Sequence, residues 1–370
     1  MTMAQLQAQS LWVLGLSFGV AALWGVVLHR SHFCTMGAIS DVLIMGSSTR
    51  LRQWVLAVAL SVWGFGLMSG LGWISPLNTI YGATSLNGLT LILGGLLFGV
   101  GMVLASGCTS KNLVRLAGGN LKSLVVLLSM GIFALATMRG LPGVFRVQVL
   151  DQVSMAMPLP FAGQWLSSMT GWPLATGLAV TASLVATALL LWTFKDRDFR
   201  QASQWWPGAA TAVILLLVWW LSGVAGFVPE HPETLEVVFL TTASGRMESM
   251  SFTAPMAYAL DAFMYFSDGS KRVNLGMALA GGVLLGAWAS AWQQGALRWE
   301  GFTRISDLSL HLLGGALMGV GAVMAMGCSV GQGLSGLSTL SGASILAVAG
   351  IVLGAVLTLQ WQMRRADAQA

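Results

Sequence analysis

Charge is what this 370-residue chain has least of: Asp, Glu, Lys and Arg make up 8% of it, against 56% hydrophobic residues. Soluble domains carry roughly 25% charged residues to keep their surfaces in water, so this composition excludes a soluble enzyme. The small excess of cations, +5, sits mostly in particular connecting loops. It is therefore a signal of membrane topology and not of nucleic-acid binding. Cysteine is scarce too: there are three, and no two are close together. An odd number of scattered cysteines speaks against a disulfide framework and for free thiols. Met1 to Ser10 contains no Lys or Arg, so the basic region that opens a secretory signal is missing, and Leu11 to His29 reads as a retained span.

What is present is long apolar sequence. A helix needs about 20 apolar residues to cross the hydrocarbon core of a bilayer. Nine such stretches occur, at roughly 11–29, 53–74, 88–106, 121–138, 172–193, 207–228, 273–294, 308–326 and 342–361. Four further segments, at roughly 33–47, 108–119, 252–266 and 328–340, are too apolar for ordinary loops and too short to cross. They read as re-entrant or broken helices, two entering from each side. Interrupted backbone inside a membrane must be buried in protein or line a wet cavity, because lipid cannot satisfy its N–H and C=O groups. The fold expected is an all-α polytopic membrane protein.

The chain also repeats itself. Leu93 to Cys108 (LGGLLFGVGMVLASGC) and Leu313 to Cys328 (LGGALMGVGAVMAMGC) agree at 11 of 16 positions, 220 residues apart. At the same offset Ser31, Met36 and Asp41 fall on Ser251, Met256 and Asp261, and Gly66 on Gly286, but Cys34 falls on Ala254. Residues 1–140 form the first repeat with four spans, 141–200 an outer loop and one linking span, and 201–370 the second repeat. A single span between the halves inverts one relative to the other, the arrangement of transporters whose site lies near the midplane. Basic loops, including Arg50, Arg52, Lys111, Arg115, Lys195, Arg197, Arg298, Arg364 and Arg365, all fall on one side if the N-terminus is periplasmic and the C-terminus cytoplasmic in the bacterial inner membrane. The spacing of Gly95 with Gly99, and of Gly315 with Gly319, suits close helix packing and implies no ligand role.

The chemistry-bearing phrases are Phe33-Cys34-Thr35, Gly107-Cys108-Thr109-Ser110 and Gly327-Cys328-Ser329. In the latter two a glycine allows an irregular turn, the thiol projects there, and a hydroxyl can cap the short helix that follows. Helix N-termini bind anions through unpaired N–H groups and the dipole, and Lys111 adds positive charge on one approach. A neutral thiol is a weak, soft donor that touches an anion without trapping it. The candidate path residues are Cys34, Cys108, Cys328, Gly107, Thr109, Ser110, Lys111, Gly327 and Ser329. Buried cysteine is often only a small hydrophobe, but two thiols in register across the repeat and a third in a broken segment point to function. His29 and His32 beside Cys34 suggest an interfacial cluster with Arg30 ahead of a metal site, and His311 a packed histidine. Asp41 and Asp261 read as structural salt-bridge carboxylates ahead of proton carriers. No metal or cofactor is expected.

The phrases HRSHFCTMGAISD, GCTSKNLVRLAGGNLKSL and GCSVGQGLSGLSTLSGASIL resemble the YeeE/YedE family of bacterial sulfur-compound membrane transporters, over nearly the whole chain. That resemblance implies inverted halves, uptake of thiosulfate or a related sulfur anion through a narrow centre, and contact of the passing ion by Cys34, Cys108 and Cys328. The partners expected are the anion, the lipid bilayer and a soluble cytoplasmic sulfur-carrier protein, with no nucleic acid. Two other classes compete: a thiol-dependent sulfurtransferase, for which no CxxC or thiol–base motif is present, and a sulfur- or selenium-metabolism subunit that docks a carrier.

Overall fold

The computed structural model describes residues 2–152, 155–269 and 272–368. Its helices are α1 (Met3–Ser31), α2 (Thr35–Ser40), α3 (Thr49–Gly70), α4 (Gly88–Leu104), α5 (Thr109–Ala117), α6 (Leu121–Arg139), α7 (Leu141–Phe145), α8 (Ala162–Thr170), α9 (Leu174–Phe194), α10 (Ala202–Trp220), α11 (Thr253–Met264), α12 (Leu275–Gln293), α13 (Ile305–Met324) and α14 (Gly342–Asp367). Wider π-type turns extend α2 through Asp41–Met45 and replace a helix at Gly331–Gly336. Strand is confined to two short antiparallel ribbons among the described residues.

Nine of these helices are long and apolar enough to cross a membrane among the described residues, and the protein is an all-α, multi-pass membrane protein. Each grows from one of the nine apolar stretches. The first is longer than expected at its start. Thr2 and Gln5 cap each other there, Thr2 N–H donating to Gln5 Oε1 at 2.9 Å and Gln5 N–H to Thr2 Oγ1 at 3.4 Å, which satisfies two backbone N–H groups at the helix start.

Matched in order, α1 to α6 correspond to α10 to α14, with the Gly331–Gly336 turn standing for α5. The packing respects that correspondence. Helix α1 lies along α12 and α10 along α3, α14 along α4 and α6 along α13, while α4 crosses its own counterpart α13. Exchanging the halves maps each pairing onto another and the α4–α13 crossing onto itself. Helix α9 stands outside this scheme, packed on α3 and α8.

Glycine makes the central crossings close enough. A Cβ at Gly94 would run into the Gly321 carbonyl, and one at Gly101 into that of Gly314; the same clashes arise from the other side. Gly95 and Gly99 press instead on Ala347 and Ile351 of α14, and Gly315 and Gly319 on Val126 and Met130 of α6. Each central helix thus has two smooth faces, one for its counterpart and one for a neighbour. Close approach of backbones is the main source of helix association where lipid is as apolar as the side chains.

Candidate thiol-lined site between the halves

Both Gly-Cys phrases begin where a spanning helix stops. Helix α4 ends in a Schellman turn: Gly107 N–H donates to Met102 C=O at 2.8 Å and Ser106 N–H to Val103 C=O at 3.1 Å. Helix α13 ends identically, with Gly327 on Ala322 at 2.8 Å and Met326 on Val323 at 3.2 Å. In each turn the residue before the glycine is left-handed, Ser106 at φ 56° and Met326 at φ 55°, and Gly327 itself has φ 157°. Gly107 is small for another reason, since a Cβ there would lie 3.0 Å from the Lys111 side chain folded over it.

Asn112 and Gln332 occupy equivalent positions and tie these turns down. Asn112 Nδ2 donates to Gly107 C=O at 2.9 Å, and Gln332 Nε2 to Ala325 C=O at 2.6 Å. The side-chain amide oxygen of each is buried without a partner among the described residues, as is the hydroxyl of Ser329. Unsatisfied buried polar atoms are uncommon in folded proteins, and each calls for an explanation such as a bound water or ion.

The three cysteines are free and buried. Cys34 and Cys108, at the starts of α2 and α5, lie with their Sγ atoms 3.8 Å apart, and Cys108 Sγ is 3.4 Å from Ser110 Oγ. Cys328 has no second thiol beside it, and its sulfur accepts a hydrogen bond from Gly331 N–H at 3.4 Å. The hydroxyl capping expected of the residues after the cysteines does not form. Thr109 Oγ1 instead lies 3.0 Å from Thr253 Oγ1, and the Met130 sulfur accepts from it at 3.4 Å. Since Thr109 opens α5 and Thr253 opens α11, the starts of two short helices from opposite halves meet there. Ser329 lies beside Cys108 with no hydrogen bond between them, and shares with Thr35 a small pocket of about 50 Å³. The charge of Lys111 reaches Cys34. Cys34, Cys108, Thr109, Ser110 and Ser329 are thereby gathered in one place, with Gly107 and Lys111 at its edge.

On the Cys328 side the centre opens into a cavity of about 420 Å³ that includes Gly327, Ser251 and Ala254. A second lobe of similar size adjoins it through Ile80, Arg146, Val323 and Met326. Tyr81 lines this second lobe, and its hydroxyl donates to Gly331 C=O. Burial pushes the Tyr81 phenol far above its ordinary range, so the group stays a neutral donor.

The family described as sulphur transport matches residues 30–357, a stretch that begins just ahead of Cys34 and encloses all three thiols. The chain belongs to this family, YeeE/YedE. It is 28% identical over 317 residues to the thiosulfate transporter TsuA of Spirochaeta thermophila, an overlap covering 75% of this chain and 91% of that one. To the thiosulfate transporter TsuA of Escherichia coli it is 28% identical over 322 residues, covering 81% and 80%. Membership makes this YeeE/YedE protein a transporter of sulfur compounds and not an enzyme.

Residues outside the cysteine phrases complete the arrangement. The carboxylates at equivalent positions are engaged by arginine, Asp41 by Arg50 at 3.3 Å and Asp261 by Arg139 at 2.9 Å, in keeping with a structural role. His29 meets Ser290 at 3.1 Å, and His311 packs against Phe302 with Nδ1 on the Asp307 carbonyl. Thr253, Met130 and Tyr81 were not legible as site residues. Thr253 could have been found as a hydroxyl opening a broken segment, but Met130 and Tyr81 carry no local signal.

Proposed function

We propose that the protein takes up thiosulfate, or a closely related sulfur anion, across the bacterial inner membrane with its N-terminus periplasmic and its C-terminus cytoplasmic. The ion enters through the cavity beside Cys328, passes the constriction where the halves meet, and leaves past Cys108 and Cys34. The observation that carries this reading is the gathering of Cys34, Cys108 and Ser329 beside the starts of short helices from both halves. Helix starts offer unpaired N–H groups and a positive dipole to an anion. Thiols add soft, weak donors that suit a terminal sulfur atom better than a sulfate oxygen. Loose contacts in series let an ion enter and leave, whereas one tight site would hold it. Gly107 and Gly327 let the chain turn closely at each thiol, and Lys111 draws the ion towards the basic face. A soluble sulfur-carrier protein would collect it on that face, where Arg50, Arg115 and Arg197 lie.

Two relatives named for thiosulfate transport support the choice of ion. The test is uptake of labelled thiosulfate into protein-containing liposomes, in competition with sulfite, sulfate and selenium oxyanions. Saturable uptake of unaltered thiosulfate, competed poorly by sulfate, is the expected result. A chemically converted product would favour the sulfurtransferase reading instead.

A further inference from the structure

The cavity on the Cys328 side holds a carboxylate for which the thiol route has no use. Glu248 lies in the connection from α10 to α11 and faces the cavity beside Ser251 and Ala254. It is held in place at two points: its N–H donates to Ser222 Oγ at 2.9 Å, and its Oε1 accepts from Ser244 N–H at 2.8 Å. Among the described residues it forms no ion pair. The two arginines lining the same cavity are already engaged, Arg139 by Asp261 at 2.9 Å and Arg146 by Asp151 at 3.3 Å. Among the described residues the other titratable groups facing Glu248 are phenols, Tyr258 of α11 and Tyr81 of the α3–α4 connection. Arg246, in its own loop, is exposed.

The charge balance of the cavity therefore turns on Glu248. Among the described residues two guanidinium groups are engaged by Asp151 and Asp261, and this surround is one charge more negative when Glu248 is ionised than when it is protonated. An ionised carboxylate in a partly buried cavity repels an incoming dianion over a short, poorly screened distance. The same group protonated has an O–H to donate.

We propose that Glu248 is a proton-linked selectivity residue of the outer mouth: protonated, it donates a hydrogen bond to an oxygen of the anion, and ionised, it excludes the anion. The proposal rests on the uptake reading above and adds that each anion occupying the cavity favours a proton on Glu248. By linkage the effect is reciprocal, anion binding raising proton affinity as protonation raises anion affinity. Burial supports it from the protein's side, since it holds the Glu248 carboxyl above the ordinary carboxylate range. The sign follows from that direction. The neutral donor is present below the raised value and is lost as pH rises through it, so uptake falls with rising pH.

The test is labelled thiosulfate uptake by liposomes with the same pH on both sides, from about pH 4.5, near the ordinary glutamate value, to about pH 7.5, below the range where free thiols ionise. The wild type is expected to lose roughly fivefold or more of its uptake at subsaturating thiosulfate over this range, chiefly through a rise in KM. Glu248→Gln, which keeps a neutral donor of the same shape, is expected to give a flat profile near the low-pH wild-type level. Glu248→Ala, which has no donor, is expected to be flat but lower. A Glu248→Gln profile as steep as the wild type's, or a flat wild-type profile, overturns the assignment of Glu248 while leaving the uptake reading intact. Absence of wild-type uptake at every pH overturns that reading and the proposal with it.

Discussion

The two Gly-Cys turns are built from nearly the same sixteen residues and end their helices with the same hydrogen bonds, yet they surround their thiols differently. At Cys108 a second thiol, Cys34, closes in to 3.8 Å and the region is packed. At Cys328, as fully buried as Cys108, the position equivalent to Cys34 is Ala254, the sulfur accepts Gly331 N–H, and the adjoining Gly327 lines a cavity of about 420 Å³. A duplicated scaffold supplies two matched turns, and the copies differ in the residues set around them. Lys111 against Gly331 and Met130 against Gly350 follow the same division: the bulkier and the charged residue both lie on the Cys108 side.

The sharpest way to break the comparison is to remove the matched thiols one at a time. Cys108→Ala and Cys328→Ala should each reduce thiosulfate uptake by about tenfold to hundredfold, the rate equivalent of losing a hydrogen bond to a charged group of about 1.5–3 kcal/mol. The comparison is made at matched membrane expression, with folding checked by gel filtration in detergent. Near-normal uptake by both variants would leave the helix starts and Lys111 as the anion's contacts.

Cys34→Ala should cost less, a loss of about threefold to tenfold, because Cys108 and Ser110 remain to contact the ion. Equal or greater damage than Cys108→Ala would place the limiting step at Cys34 and reverse the ranking of the two.

The scaffold itself should respond symmetrically. A Cβ at Gly99 meets the backbone of α14 at Ile351 and Ala355, and one at Gly319 the backbone of α6 at Met130 and Ala134. Gly99→Ala and Gly319→Ala should therefore destabilise to a similar degree, by about 1–3 kcal/mol each, read as lowered thermal unfolding midpoints in detergent. A large difference between them would show that the matched crossings do not carry matched loads.

The smallest effect is expected from making the halves more alike. Ala254→Cys adds a fourth thiol beside the cavity, at the position equivalent to Cys34, and one extra sulfur fits where the space is open. Uptake should change by no more than about twofold, since the cavity is wide and the new contact weak. Strong inhibition would mean that the open half must stay free of a soft donor near Cys328.

Nine spans, four interrupted segments and the duplication were legible in the sequence because each is a local property. Hydropathy over about 20 residues decides whether a segment crosses lipid, and the 220-residue offset needs only the letters of Leu93 to Cys108 and Leu313 to Cys328. The three thiols stood out for a similar reason, as rare residues in repeated phrases. The start of α1 was harder to place, because Thr2 and Gln5 extend it by capping and not by hydropathy. What the sequence could not supply was the contact set. Cys34 meets Cys108 across 74 residues of chain, and Thr109 meets Thr253 across 144. Neither meeting has any trace in the residues between, because it depends on how closely the glycine faces of α4 and α13 let the halves approach. The left-handed turns at Ser106 and Met326, the Tyr81 bond to Gly331 and the isolation of Glu248 from its arginines are of the same kind. They are set by the packing of helices distant in sequence, which only the tertiary structure decides.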